Sequence, residues 1–521
     1  MNFLESIKQI NNYTYTENGA TALKSTNSAV LDAFGMLGTY GKSHYLNESF
    51  DIVLDIFYKA WVEDKQLAIK LLFYMRDIRG GQGCRTLFRI IVTSLANTNP
   101  EYVINNLDNF LFYGRGDDLL CLLDTPIKEE VIKYIEEVLY EDMTSVKSGG
   151  SCSLLAKWLP SENASSKTTK YYARILIEGL KTTPSKYRKM LSTLRKHITI
   201  VETLMSQNKW GQIDFEKLPS RAAMLYSNAF YKHVKDNYIE YLKNLASGNS
   251  KVNAGALFPV DIIHKVFMNY YGYSTKDKIL YSAMWDALPN YFEEAGKDET
   301  GICVVDTSGS MYGTPFEVAV SLGMYCADKA KGPFKNHFIT FSNKPQLQEI
   351  KGENIYEKVH CLYRADWGMN TNLEAVFDLI LESAIRANLS QEDIPNKLYI
   401  ISDMQFDAAT TIKNEGTFMD NMSAKFEEYG YTMPAIVYWN VRTSDCGMFQ
   451  STKDGINCCM VSGYSPSLFK SVLLGTEYEE VVNKDGSVST KVKLDPMTIM
   501  LNTLNDERYD KVWTGEVTNI E

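Results

Sequence analysis

A chain of 521 residues has room for two or three domains, and an apolar share of 45% with 23% charged residues is that of an ordinary soluble globular protein. The net charge of −10 excludes a generally basic surface, and the lack of any run of eighteen apolar residues or of a charged-then-apolar leader at Met1 argues against a membrane span and a secretory signal. Nine scattered cysteines without a C-x-x-C pair, and six histidines without zinc spacing, read as the reduced thiols and ordinary histidines of a cytoplasmic protein.

Residues 12–27, rich in Thr, Asn and Ser, predict an extended arm. Apolar positions then recur at three-to-four spacing over 50–62, 65–79, 84–96, 100–113, 127–140, 168–180, 186–206, 221–246 and 260–270, with short Gly, Pro, Ser or Asn punctuation. Successive antiparallel helices of this length predict an all-helical module over 1–298, a solenoid or ring of HEAT-type helix pairs. Within it, Tyr74-Met75-Arg76-Asp77-Ile78-Arg79-Gly80-Gly81-Gln82-Gly83, followed by Leu87-Phe88, sits at a helix end. The Gly pair would stop that helix so that the next can turn back, with Arg76 pairing to Asp77 and Arg115 to Asp118.

Charge is unevenly placed along this module. Residues 145–200 hold eleven Lys or Arg against Glu162 and Glu178, which makes the segment +9 and leaves −19 for the rest of the chain. A local basic patch on an acidic protein is the footprint of a confined nucleic-acid groove. In 186–206, Tyr187, Met190, Leu191, Leu194, Ile198 and Val201 share one helix face, whereas Arg188, Lys189, Arg195 and Lys196 fall opposite and predict a solvent-facing basic stripe. Lys170 joins it as a candidate nucleic-acid contact, His197 lies at the edge of the apolar face, and Tyr171 and Tyr172 are candidate stacking platforms.

Beyond Asp298 the pattern changes to alternating strands and helices: strand 301–306, helix 314–331, strand 336–342, a strand near 356–363, helix 371–387, strand 397–403, helix 417–428, strand 433–439, strand 457–462 and helix 466–474. This alternation predicts a doubly wound parallel sheet over 299–477. In 478–521, Lys484-Asp485-Gly486 reads as a hairpin turn, and Asp495-Pro496 as an N-cap with Pro at N1 opening a last helix. This tail is expected to return to the helical part.

The run Gly301-Ile302-Cys303-Val304-Val305-Asp306-Thr307-Ser308-Gly309-Ser310 delivers one carboxylate and two hydroxyls to the end of a buried strand. Asn370-Thr371-Asn372, after the loop Trp367-Gly368-Met369, offers a third hydroxyl, and Lys397 to Asp403 is a second strand ending in an acid. Hard, lightly charged oxygens suit Mg²⁺ or Mn²⁺. The spacing resembles the metal-ion-dependent adhesion site of the von Willebrand factor A (vWA) fold, which implies Asp306, Ser308, Ser310, Thr371 and Asp403 as metal ligands, direct or through water. Neutral hydroxyl ligands leave the ion a net positive charge and an open position, attractive to a partner's exposed Asp or Glu. Without a general base or nucleophile beside it, the site reads as adhesive and the protein as a non-enzyme.

The Tyr74–Gly83 stretch, together with Tyr113-Gly114-Arg115-Gly116-Asp117-Asp118-Leu119-Leu120, resembles signature elements of TROVE-module proteins, the Ro autoantigen family, with Gly116 where that family favours Trp. Tyr187 to His197, Gln212-Ile213-Asp214-Phe215 and Asn253 to Pro259 are more similar to a cousin family than to the vertebrate Ro protein. The resemblance implies a helical ring followed by a vWA domain, binding single-stranded or small structured RNA, with Arg174 and His197 the best matches to the family's RNA-contacting basic stretch and histidine and Lys170, Arg188, Lys189, Arg195 and Lys196 as further RNA contacts. It implies no DNA and no membrane partner. A reading from a different class is a protein-interaction scaffold, cellular or viral, that uses the metal site alone.

Overall fold

The computed structural model describes residues 11–41, 50–198, 200–269, 272–296, 300–341, 344–363, 371–407, 418–443, 447–455, 457–482 and 488–515. The loop at Trp367 to Asn370, the expected turn at Lys484 to Gly486 and the expected boundary at Asp298 lie outside these residues. The chain forms two compact units, one of residues 1–43, 58–63 and 257–504, the other of 44–57, 64–256 and 505–521. These cut across the expected divisions 1–298, 299–477 and 478–521.

The first unit is built on a six-stranded sheet. Its strands are β3 (Ile302–Asp306), β4 (His337–Phe341), β5 (Leu347–Glu349), β6 (Lys397–Ser402), β7 (Ala435–Asn440) and β8 (Cys458–Ser462), after the hairpin strands β1 (Tyr13–Tyr15) and β2 (Thr21–Leu23) of the amino-terminal arm. The order across the sheet is β5-β4-β3-β6-β7-β8. All neighbours run parallel except β5, which pairs antiparallel with β4 (Phe338 opposite Gln348). Strand succession therefore reverses between β3 and β6, the strand order of a doubly wound sheet, whose right-handed crossovers in general place helices on both faces. β3, β6, β7 and β8 are buried along their whole length, which is why they read as unbroken apolar runs.

One expected strand is a helix. Residues near 356–363 form Ile355–Tyr363, because Ile355, Val359 and Leu362 are buried at helical spacing. The edge strand β5 was hidden in sequence, being three residues of which two are exposed.

Helices that precede the sheet in sequence belong to the same unit. His264 on Pro259–Met268 meets Glu317 on Thr314–Lys329 at 2.9 Å, Trp285 Nε1 donates to Asp328 at 3.0 Å, and Phe292 lies 5.0 Å from Phe469, ring to ring. The helix Ala29–Tyr40 lies on β7 and β8. Its approach requires glycine, since a Cβ on Gly38 would stand 2.3 Å from the Ser462 carbonyl oxygen. The arm at 12–27 is extended as expected, and β1 pairs with β2. β9 (Thr476–Val482) and β10 (Val488–Leu494) pair antiparallel, and Asp495 accepts from Met497 N at 3.0 Å to start Pro496–Leu504.

Helices dominate the second unit, with several interrupted where a single helix was expected. The stretch 186–206 becomes Pro184–Ile198 and Val201–Ser206, and 221–246 becomes Ser220–His233 and Lys235–Ala246, broken at Val234. Lys65–Arg76 stops before the glycines, and at Gly81 a Cβ would meet the Tyr74 carbonyl oxygen at 1.9 Å. The tail does return to this unit. Arg508 Nη2 donates to Asp77 Oδ1 at 2.9 Å, Tyr113 Oη donates to the Arg508 carbonyl at 2.6 Å, and Trp513 N donates to Asn106 Oδ1 at 2.9 Å.

Candidate functional site

The carboxyl ends of β3 and β6 flank the point where strand order reverses, the place where open α/β sheets bind ligands. Asp306 ends β3 with no exposure; its carboxylate accepts from Ser308 N at 2.9 Å and from the Ser402 hydroxyl. Burial, reinforced by the nearby Asp403 charge against the hydrogen bonds of Ser402 and Ser308, pushes the Asp306 carboxyl up to about 6. Ser308 Oγ and Ser310 Oγ stand 3.0 Å apart. Four of the five expected ligands thus gather at two adjacent strand ends. Thr371 adjoins the same loop after β6: its hydroxyl donates to the Gln405 carbonyl at 3.0 Å and lies 3.2 Å from Asp407 Oδ1.

Two buried acids side by side are costly unless a cation is shared between them. The donor set, two carboxylates with three hydroxyls, fits a hard divalent ion in kind. Among the described residues no group of three or more His, Cys, Asp or Glu that could hold a metal occurs, so such an ion would depend on the hydroxyls. One cation of the chain itself is present: Arg442, two residues past β7, places Nη1 3.3 Å from Asp403 Oδ2 and donates to the Ser310 carbonyl.

Sequence reasoning missed Arg442 and also the arm. Thr16 Oγ1 donates to the Phe406 carbonyl at 2.8 Å, and Asn18 Nδ2 donates to the Gln405 carbonyl at 2.8 Å and to Thr371 Oγ1 at 3.4 Å. A basic residue just past a parallel strand's carboxyl end was the one available signal for Arg442; nothing local marked Asn18.

In the helical unit the expected basic stripe is narrower. Arg195 is not on a solvent face: its guanidinium donates to the Ala156 carbonyl at 2.8 Å, the Leu159 carbonyl at 2.6 Å and Ser161 Oγ at 2.8 Å. The cause is the four-residue helix Leu155–Trp158, whose last carbonyls lack intrahelical partners. Burial lowers the Arg195 pKa. Arg174, Arg188, Lys189, Lys196 and His197 are exposed, and Lys170 is half-buried. Arg188 is held loosely by Glu162 at 3.7 Å, while Lys170, Arg174, Lys189 and Lys196 meet no carboxylate at ion-pair distance among the described residues. Tyr171 and Tyr172 both donate to the Asp124 carboxylate, at 2.7 and 3.0 Å, so their hydroxyls anchor the helix Lys167–Gly179.

The arginines of the two signature stretches exchange partners relative to expectation. Arg76 pairs with Asp118 at 2.7 Å, both side chains nearly fully buried, and Asp77 is taken by Arg508. Arg115 binds Asp117 through Nε at 2.9 Å and its guanidinium lies 3.9 Å from the centre of the Trp158 ring. Gly116 makes room for this, since a Cβ there would meet Leu155 Cδ1 at 2.9 Å and Trp158 Cβ at 3.4 Å.

Comparison with known proteins gives two family models, each described as a domain of unknown function: DUF2828 over residues 16–114 and 129–296, and DUF7788 over 300–504. An uncharacterized protein of Acanthamoeba polyphaga mimivirus, L728, is 33% identical over 539 residues, covering 96% of this chain and 92% of its own. No solved structure matches.

Proposed function

This chain belongs to the DUF2828 family and is a relative of the mimivirus protein L728, and we propose that it is a Ro-like RNA-binding protein whose sheet unit carries a vWA-type magnesium site. The observation that carries the reading is the set of exposed cations on Lys167–Gly179 and Pro184–Ile198: Arg174, Lys189 and Lys196 face solvent without a carboxylate partner, on a chain whose net charge is −10. Cations clustered on two successive helices repel one another, a cost that phosphate binding offsets. Asp306, Ser308 and Ser310, with Thr371 and Asp403, would hold Mg²⁺ or Mn²⁺. When bound, the ion supplies a Lewis-acidic open position for a partner's carboxylate or an RNA phosphate; Asp306 and Asp403 provide the negative charge, and the hydroxyls orient it.

The test is purification followed by absorbance at 260 and 280 nm before and after ribonuclease, and then RNA binding across a salt series. The wild type should retain nuclease-sensitive absorbance and lose affinity steeply with salt, whereas the variant Arg174→Glu, Arg188→Glu, Lys189→Glu, Lys196→Glu should lose RNA with an unchanged melting curve. RNA affinity that survives this variant refutes the groove. The paired acids at the strand ends favour a second reading, the scaffold, in which the same preparation carries no RNA and instead holds an acidic partner in an EDTA-sensitive way.

A further inference from the structure

A cavity of about 320 Å³ opens in the helical unit beside Trp158; none of the four cations substituted above lines it, although its Tyr172 shares the helix Lys167–Gly179 with Arg174. That volume is at the low end of small-ligand sites, which span about 300–1,000 Å³, and has room for a single nucleotide but not for a duplex stem. Its wall is chemically divided. One side is aromatic, Trp158 and Tyr172; the other is Arg89 with Asp117; the first turn of Lys167–Gly179 closes it through Thr168 and Thr169.

The charge around this cavity is in surplus. Arg76, Arg85, Arg89 and Arg115 surround two carboxylates, Asp117 and Asp118. Asp118 is shared by Arg76 and Arg89, and Asp117 by Arg89 and Arg115. Arg85 is exposed and has no carboxylate at ion-pair distance among the described residues. Partial burial and then repulsion from Arg115 and Arg89 lower its pKa, against the opposing charges of Asp117 and Asp118. Arg89 is held by Asp117 at 2.9 Å and by Asp118 at 2.7 Å, and against its burial these two charges raise its pKa. The remaining ionisable walls stay neutral near pH 7: burial pushes the Cys121 thiol up to about 11, and burial together with Asp124 pushes the Tyr172 phenol up to about 12. A guanidinium, a helix first turn and two threonine hydroxyls are phosphate-binding groups, and Trp158 offers an indole to a base.

We propose that the cavity walled by Arg89, Trp158, Thr168, Thr169 and Tyr172 is a binding site for a nucleoside monophosphate, supplied either as a free nucleotide or as the phosphorylated end of an RNA chain. The cations Arg174, Arg188, Lys189 and Lys196 of the preceding reading line none of its wall, so the two readings are tested apart. Thr168→Glu is the diagnostic variant. Thr168 is exposed at the second position of its helix, where a carboxylate favours the helix dipole, so folding is preserved while the cavity gains a charge that repels phosphate.

Isothermal titration of the full chain with AMP, GMP, CMP and UMP, with inorganic phosphate, and with matched oligoribonucleotides bearing a 5′-phosphate or a 5′-hydroxyl tests it. At least one nucleoside monophosphate should bind more tightly than inorganic phosphate, and Thr168→Glu should weaken it about tenfold or more, the worth of one charge-assisted hydrogen bond. A preference for the 5′-phosphorylated oligomer assigns the site to RNA ends, and equal binding of the two oligomers assigns it to free nucleotide. The four-Glu groove variant should keep mononucleotide binding, so that loss of the groove and loss of this site are read separately. No saturable binding of any monophosphate, phosphate binding as tight as nucleotide binding, or an unchanged affinity in Thr168→Glu overturns the proposal.

Discussion

Arg195 shows how a residue with the right charge in the right periodicity can serve another purpose. Its three hydrogen bonds to Ala156, Leu159 and Ser161 close the end of a helix too short to satisfy its own carbonyls. Arg195→Ala should therefore cost about 1–3 kcal/mol in a urea titration, the penalty for stranded acceptors, and leave RNA affinity at fixed salt nearly unchanged. A drop in affinity with unaltered stability would return Arg195 to the groove. Its neighbours Lys189 and Lys196 were legible as exposed because their helix face has nothing apolar to cover. Arg195 was not, because its acceptors lie about 35 residues away in sequence. Asp118 repeats the lesson: the pairing of its buried carboxylate with Arg76 depends on how two helices meet, whereas the sequence offered Arg115 as the nearer candidate.

At the scale of elements, the strands that carry the candidate metal site were the most legible part of the chain. β3 and β6 are buried along their length, so burial itself writes an apolar run, and a buried acid stands at the end of β3 and just past that of β6. The short helix at 355–363 and the edge strand β5 were not, since neither is long enough for its period to stand out. The carboxyl-terminal 505–515 segment has no strong period either, yet it locks the first signature helix. Arg508 and the Tyr509 hydroxyl, 3.3 Å away, converge on the fully buried Asp77, and Tyr509 stacks on Tyr113 with ring centres 5.5 Å apart. Arg508→Ala leaves that carboxylate without its cation and should destabilise the helical unit by about 3–5 kcal/mol. Hydrogen exchange should show the loss around 65–76, and a variant with unchanged protection there would contradict it.

For the whole molecule, the change in pattern near Asp298 marks where one kind of secondary structure gives way to another, and the two family models also divide there, at 296 and 300. It is not where compact units divide. Helices 259–268, 275–286 and 291–295 bury their apolar faces against elements of the sheet unit, as Phe292 does on Phe469. A chain cut at 298 should yield two fragments that fail to fold to native melting behaviour. A cut near 256 keeps these helices with their sheet, so a fragment of 257–504 co-expressed with 1–63 should recover more soluble protein. Equal recovery from the 298 cut would show that the helices are dispensable. What the sequence by itself determined is everything that burial imposes locally: helix or strand period, the parallel sheet, the acids and hydroxyls at its carboxyl edge, and the concentration of positive charge between 145 and 200. What only the tertiary structure decided is partnership: Arg442 and the arm at Thr371, Arg508 on Asp77, and the surplus of arginine around Trp158. Periodicity is a property of neighbours along the chain, whereas an ion pair or a cavity depends on which distant segments come within a few ångströms, and that depends on how the whole chain packs.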